Sequence, residues 1–273
     1  MYLLRLEWLK IRSYRLFQVI SILFMLLLPL CFLIGKMMGD LPKIFGDIND
    51  FYMFPRVWSG LGYAANWLSF ICFGFLGVLL FTNEVSYRTL RQNVITGISR
   101  RDFLVSKVLM IFAISVAATL YYIACALFIG YTNTAYVFAS RVTEGGDYAL
   151  RFLLQCFGYM SIAFLFGVLT RRSGSGIFLY FIYGLFGERI IRYFLHSYIL
   201  GKKLGISYIN AIHYYPINAL SDLLPAPVSN MTKMTTDNNM QLYLSFTEAT
   251  VCSVIFIILA YAISALVLNK RDL

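Results

Sequence analysis

Charged residues are scarce in this chain. Asp, Glu, Lys and Arg make up 13% of its 273 residues, and hydrophobic residues make up 60%. An ordinary soluble domain carries about a quarter charged residues. This composition therefore excludes a soluble globular protein and favours one that exposes apolar surface to lipid.

The groups that catalysis and metal binding need are also scarce. The only histidines are His196 and His213, and neither has a cysteine or paired carboxylates nearby in the sequence. The five cysteines fall one in each of five apolar runs, a spread that fits neither a disulfide framework nor metal-ligand spacing. No G-x-x-x-x-G-K-[ST] phosphate loop occurs. We expect no catalytic residue, no metal and no cofactor in this chain, which would not be an enzyme.

Long apolar runs dominate the sequence. A bilayer core is about 30 Å thick and takes about 20 apolar residues to cross as a helix. The runs predict an all-α polytopic membrane protein with a single transmembrane domain over 1–273. Its six transmembrane helices are predicted at about 16–36, 61–82, 106–131, 151–170, 176–198 and 247–268. The fifth of these helices is interrupted by Glu188, Arg189 and Arg192.

The basic residues predict the orientation. If the six spans alternate from an inside N-terminus, the inside segments hold 13 of the 23 Lys and Arg residues but only four of the 13 acids. Short basic loops stay on the cytoplasmic side. We therefore expect both termini in the cytoplasm. The net charge of +10 is then explained by loops beside the spans, without a nucleic-acid partner.

The segment "EVSYRTLRQNVITGISRRDF", between the second and third spans, has helical spacing. Its apolar residues recur every three or four positions, as on one helical face. Glu84 precedes Arg88 by four residues, an order that favours an ion pair on a helix. Gly97 is a plausible helix end, and Ser99 with Asp102 has the form of a capping box for the next helix. The apolar face comprises Tyr87, Leu90, Val94 and Ile98.

Two interpretations of this segment remain open from the residues alone. The helix could rest on lipid head groups, with Arg88, Arg91, Arg100 and Arg101 touching phosphates. It could instead be a docking surface for a cytoplasmic partner. Periodicity cannot separate them.

The longer stretch "FTNEVSYRTLRQNVITGISRRDFLVSK" resembles the loop between the second and third spans of ABC-2-type transporter permeases. The resemblance extends to the basic lead-in with Trp8, the six spans, the long outer segment before the last span and the short basic tail. It implies a coupling helix seated in a cleft of a separate ATPase. Its residues would be Glu84, Tyr87, Arg88, Leu90, Arg91, Val94, Gly97, Ser99 and Arg100.

The resemblance also implies partners, location and activity. The partners would be two ABC ATPase subunits carrying ATP and Mg, a second permease copy or a related permease, and the lipid bilayer. The chain would lie in the bacterial cytoplasmic (inner) membrane and export a hydrophobic or amphipathic compound, such as a drug, a peptide antibiotic or a lipid-like molecule. Alternatives are a secondary transporter driven by an ion gradient and a scaffold subunit that transports nothing.

The fifth predicted span and the segment after it carry a second candidate site. Glu188 and Arg192 are four residues apart at membrane depth, where charges are costly and are usually paired or line a cavity. They could form a structural pair or lie on a substrate path, or the span could break near Gly187. After it, "ISYINAIHYYPINALSDLLPAPV" predicts short outer helices before the last span.

Overall fold

A computed structural model describes residues 2–37, 48–87, 89, 99–196, 210–226 and 243–270. These residues form helices and connecting turns and contain no strand. The α-helices are α1 (Tyr2–Arg12), α2 (Arg15–Met37), α3 (Val57–Ser86), α4 (Arg100–Asn133), α5 (Ala139–Thr143), α6 (Asp147–Thr170), α7 (Ser173–Ile182), α8 (Glu188–Leu195), α9 (Pro216–Ser221) and α10 (Phe246–Lys270).

The described residues also form three short helical turns of other types. Ile48–Tyr52 and Asn210–Tyr214 are 3₁₀ helices, and Tyr183–Gly187 is a π-helical turn between α7 and α8. The π turn ends at Gly187, near which a break of the fifth span is one of the predicted alternatives. The chain stays helical there, but with the wider hydrogen-bonding pattern of a π helix.

Five helical segments in the described residues are long and apolar enough to cross a membrane: α2, α3, α4, α10 and the stretch 139–170 that contains α5 and α6. They coincide with five of the six predicted spans. The remaining predicted span, 176–198, corresponds to α7, the π turn and α8 up to His196. That this segment crosses the membrane, and that both termini are cytoplasmic, stay predictions.

Helix α3 lies at the centre of the bundle and packs most extensively on α6. A Cβ atom at Gly77 would lie 2.5 Å from the carbonyl oxygen of Met160, so only glycine lets the two backbones approach this closely. The apolar core continues from α3 to α4 through Phe81 and Met110. By contrast, α2 is mostly exposed, because it packs on the bundle along only one side.

Candidate functional site

Helix α1 turns two of its charged residues toward the bundle. Glu7 and Lys10 are three residues apart and therefore share a helical face. Glu7 is buried, whereas Trp8 and Leu9 on other sides of α1 are exposed. This arrangement suits a helix at a membrane surface, whose apolar residues contact lipid while its acid is held by protein.

A buried charge cluster, composed of Glu7, Lys10, Glu84 and Lys107, joins three helices. The Lys107 ammonium lies 2.5 Å from Glu7 Oε2 and 2.8 Å from Glu84 Oε1. Lys10 Nζ lies 3.2 Å from Glu84 Oε1 and 3.6 Å from Glu7 Oε1. Each ammonium therefore faces both carboxylates, and the cluster has no net charge.

Burial makes these contacts energetically important. Lys107 is 1% exposed and Glu84 is 2% exposed. A charge removed from water is tolerated only when opposite charges and hydrogen bonds replace its hydration. The cluster therefore fixes the N-terminal turns of α4 to the last turns of α3 and to α1.

Residues just after α3 are attached to the same cluster. The Thr89 hydroxyl donates a hydrogen bond to the Glu84 carboxylate. The Tyr87 ring stacks on the Tyr14 ring, with centroids 5.7 Å apart and planes 10° apart. Burial, with the negative charge of Glu84 as a second cause, raises the pKa of Tyr14 above its usual value of 10. The Tyr14 hydroxyl therefore stays neutral at physiological pH.

The start of α4 is capped and tied to the last helix. The Ser99 hydroxyl oxygen accepts a hydrogen bond from the Asp102 amide at 3.1 Å, which confirms the predicted cap. The adjacent Arg100 donates from Nη1 to the carbonyl oxygens of Leu268 at 2.6 Å and Asn269 at 3.0 Å. Arg100 thus satisfies carbonyls that the C-terminus of α10 leaves without helical partners.

The structure places the residues predicted for the coupling helix in different settings. Glu84 belongs to the last turns of α3 and is buried, Tyr87 is exposed next to α3, and Ser99 and Arg100 begin α4. The others lie outside the described residues, so the coupling role of the segment stays a prediction: Arg88, Leu90, Arg91, Val94 and Gly97.

Sequence reasoning missed Glu7 and Lys10 as site residues. The available signal was a lone acid three positions before a lysine, within an otherwise basic lead-in helix. That spacing puts both on one face, but it does not reveal that the face turns toward Glu84 and Lys107. Lys107 is the last residue of the stretch that carries the family resemblance, but it is not among the residues predicted for the coupling helix.

The second predicted site, at Glu188, lies against α9. Its carboxylate accepts hydrogen bonds from the backbone amides of Ile217 at 2.6 Å and Asn218 at 3.1 Å, and from the Asn218 side-chain amide. Glu188 is fully buried. Glu188, on α8, therefore caps the first turn of α9. These hydrogen bonds compensate for the hydration that its carboxylate loses on burial. The pairing of Glu188 with Arg192 stays a prediction.

The other end of α9 is held by a buried amide network. Asn66 Oδ1 accepts hydrogen bonds from Gln155 Nε2 at 3.0 Å and the Tyr159 hydroxyl at 2.8 Å. Asn66 Nδ2 donates to Ser221 Oγ at 2.8 Å, and Gln155 Nε2 donates to the Leu220 carbonyl at 3.0 Å. Helices α3, α6 and α9 are thereby locked together, although the short helix α9 has little intrinsic stability.

The described part of the chain contains no group of three His, Cys, Asp or Glu side chains that could hold a metal ion. All five cysteines are free and lie in different helices. The chemistry of both sites is thus the pairing of charges and hydrogen bonds between helices.

Comparison with known proteins identifies a family. The family described as "ABC-2 family transporter protein" matches residues 3–187, which include the charge cluster and the segment between α3 and α4. A comparison with curated proteins finds no match to this chain. The family match covers more than half of the sequence, so the chain belongs to the ABC-2 family of transporter permeases.

Proposed function

We propose that this chain is the membrane-spanning subunit of an ABC exporter in the bacterial cytoplasmic membrane. It would move a hydrophobic or amphipathic compound outward, using ATP and Mg bound by two separate ATPase subunits. A second copy of this permease, or a related one, would complete the pathway. The observation that carries the proposal is the charge cluster, which connects α1 and both helices that flank the predicted coupling segment.

The cluster suggests how movement would reach the membrane. The ATPase would apply force to residues 84–98. This segment begins in the last turn of α3 at Glu84 and leads into α4 at Ser99. Lys107 joins α4 to α3 and to α1, so these helices would move as one unit. Arg100 would pass part of the movement to α10 through the Leu268 carbonyl.

Charge reversal at Arg91 tests the coupling proposal. Arg91 belongs to the predicted coupling helix, and Arg91→Glu should leave the permease in the membrane but lower its co-purification with the ATPase. ATP hydrolysis in the purified fraction and transport should both fall. Arg101→Glu is the matched control, because Arg101 is an exposed arginine on α4 outside the predicted set. Unchanged ATPase binding and transport in Arg91→Glu would contradict the proposal.

The proposed orientation can be tested separately. Single cysteines at Gly97 and Asn238, introduced into a cysteine-free variant, should react with impermeant reagents from opposite sides of the membrane. Labelling of both from outside would overturn the orientation and the coupling proposal with it.

A further inference from the structure

An apolar cavity of about 210 Å³ lies between α1, α2, α3 and α4. Its deep wall consists of buried side chains, among them Phe24, Cys72, Phe73 and Met110. Ala113, Ala117 and Ala118 line the α4 side, and their small side chains create the space. Trp8 and Met25 also line the cavity and are about half exposed, so they mark its mouth.

The lining excludes water as a stable occupant. A buried water needs two to four polar partners, and cavities lined by apolar groups stay dry. The few polar groups here include the Tyr121 hydroxyl, which is already bonded to the Met25 carbonyl oxygen. An empty cavity is also unfavourable, because its lining loses van der Waals contacts in proportion to the volume. The cavity therefore selects an apolar occupant.

Met25, at the mouth of the cavity, belongs to α2, and most of the surface of this helix is exposed. Val19, Ile22 and Leu26 on α2 are all more than half exposed and would contact the hydrocarbon of a bilayer. Acyl chains are the most abundant apolar groups beside such a helix. Since the lining residues belong largely to membrane-spanning helices, an acyl chain can enter the cavity without crossing water.

Two basic residues lie on the face of α1 that carries Trp8, a residue at the mouth. Arg5 and Arg12 are three residues before and four residues after Trp8, so they share its face of α1. Both are exposed. Arginines at a membrane surface attract anionic lipids, and a guanidinium forms bidentate bonds to phosphate.

We propose that this cavity is a lipid site that holds one acyl chain of an anionic phospholipid, with the head group against Arg5 and Arg12. The bound chain fills the space between α2 and the bundle, so it sets how closely α2 packs on α3 and α4. This role does not depend on an ATPase partner. It can therefore be right or wrong independently of the proposed transport function.

Photocrosslinking of the full chain tests the site. The protein is reconstituted in phosphatidylcholine–phosphatidylglycerol vesicles with a trace of phosphatidylglycerol that carries a diazirine on its acyl chain. After irradiation, peptide mass spectrometry should find adducts at the deep wall, on Cys72, Phe73 or Met110. Phosphatidylcholine with the same diazirine should give several-fold fewer adducts there.

Two alanines on one face of α4 supply the variant and its control. Ala117→Leu fills the cavity from its rim and should reduce the adducts at the deep wall several-fold. Ala124→Leu adds the same side chain two turns away on an exposed position outside the lining, and should leave the adducts unchanged. Arg5→Gln combined with Arg12→Gln should abolish the preference for phosphatidylglycerol while adducts at the wall persist.

Several results would overturn the proposal. Absence of adducts at the deep wall of the parent protein would contradict the presence of an acyl chain in the cavity. Equal labelling by the two lipids would remove the assignment to an anionic lipid. The measurement on the parent protein decides the question even if Ala117→Leu does not fold.

Discussion

The Lys107 ammonium lies 2.5 Å from the Glu7 carboxylate, although the two residues are 100 positions apart in the chain. Glu7 belongs to the lead-in helix and Lys107 to the first turns of α4. Because both residues are buried, each charge needs the other to compensate for its lost hydration. The contact makes α1 part of the bundle.

Removal of one charge from this cluster should destabilise the protein more than removal of two opposite charges. Glu7→Gln leaves two lysines with one carboxylate, and breaking a buried pair in this way costs about 3–5 kcal/mol. Glu7→Gln with Lys10→Gln leaves the Lys107–Glu84 pair neutral and should recover part of that loss. Thermal unfolding of the purified protein in one detergent measures both variants.

Arg56→Gln is the control for this measurement. Arg56 Nη1 lies 2.8 Å from Asp50 Oδ2, but both side chains are about half exposed. An exposed pair contributes at most about 1 kcal/mol. If Glu7→Gln lowers the unfolding temperature no more than Arg56→Gln does, the cluster is not the buried contact described above.

Loss of Arg100 should loosen the end of α10. Arg100→Gln removes a charged donor from the Leu268 and Asn269 carbonyls, which at this partly exposed position is worth about 1 kcal/mol. Hydrogen exchange of the amides in the last turn of α10 should therefore accelerate several-fold. Arg101→Gln, one residue further along α4, should leave those rates unchanged. Equal rates in all three proteins would contradict the role of Arg100 at this terminus.

Glu188→Gln should destabilise the attachment of α9. A glutamine offers one acceptor oxygen where the carboxylate offers two, so a buried amide of α9 loses its partner at a cost of about 1–3 kcal/mol. The additional change Arg192→Gln should not restore stability, because the lost bonds run to Ile217 and Asn218. Thermal stability and transport of the single and double variants test this. Recovery in the double variant would instead support a structural pair between Glu188 and Arg192.

Replacement of Asn66 should weaken three helices together. Asn66→Leu keeps a similar volume but removes bonds to Gln155, Tyr159 and Ser221, which leaves buried polar groups without their partner. We expect a loss of several kcal/mol, since each orphaned group costs about 1–3 kcal/mol. Thr250→Val on α10 is a control, because the Thr250 hydroxyl donates to the Phe246 carbonyl oxygen one turn earlier in the same helix. Similar unfolding temperatures for both variants would contradict the structural role of the Asn66 network.

The sequence predicts those features of this fold that are determined by residues close together in the chain. Apolar runs locate α2, α3, α4, α6 and α10, because a membrane helix satisfies its own backbone hydrogen bonds. The Ser99 cap is equally local. The short helix before α10 follows from its apolar spacing and from Pro216 at its first position. Proline has no backbone N–H, and at the first position of a helix that N–H would have no acceptor within the helix.

Contacts between distant helices could not be predicted in the same way. Periodicity places Glu7 and Lys10 on one face of α1 but does not say which helix that face meets. Spacing suggests Arg192 as a partner for Glu188, and that pairing stays a prediction. The bonds from the Glu188 carboxylate to backbone amides of α9 could not be predicted, because backbone amides leave no trace in a sequence. Helix packing therefore decides which of several locally reasonable partners a buried charge meets.

The neutrality of the charge cluster has an electrical consequence. A single elementary charge that crosses a membrane potential of 100 mV gains or loses about 2.3 kcal/mol. Glu7, Lys10, Glu84 and Lys107 carry two charges of each sign at contact distances. If the three helices move together, the field does almost no net work on this group. The voltage across the membrane would then neither drive nor oppose the displacement of these four residues.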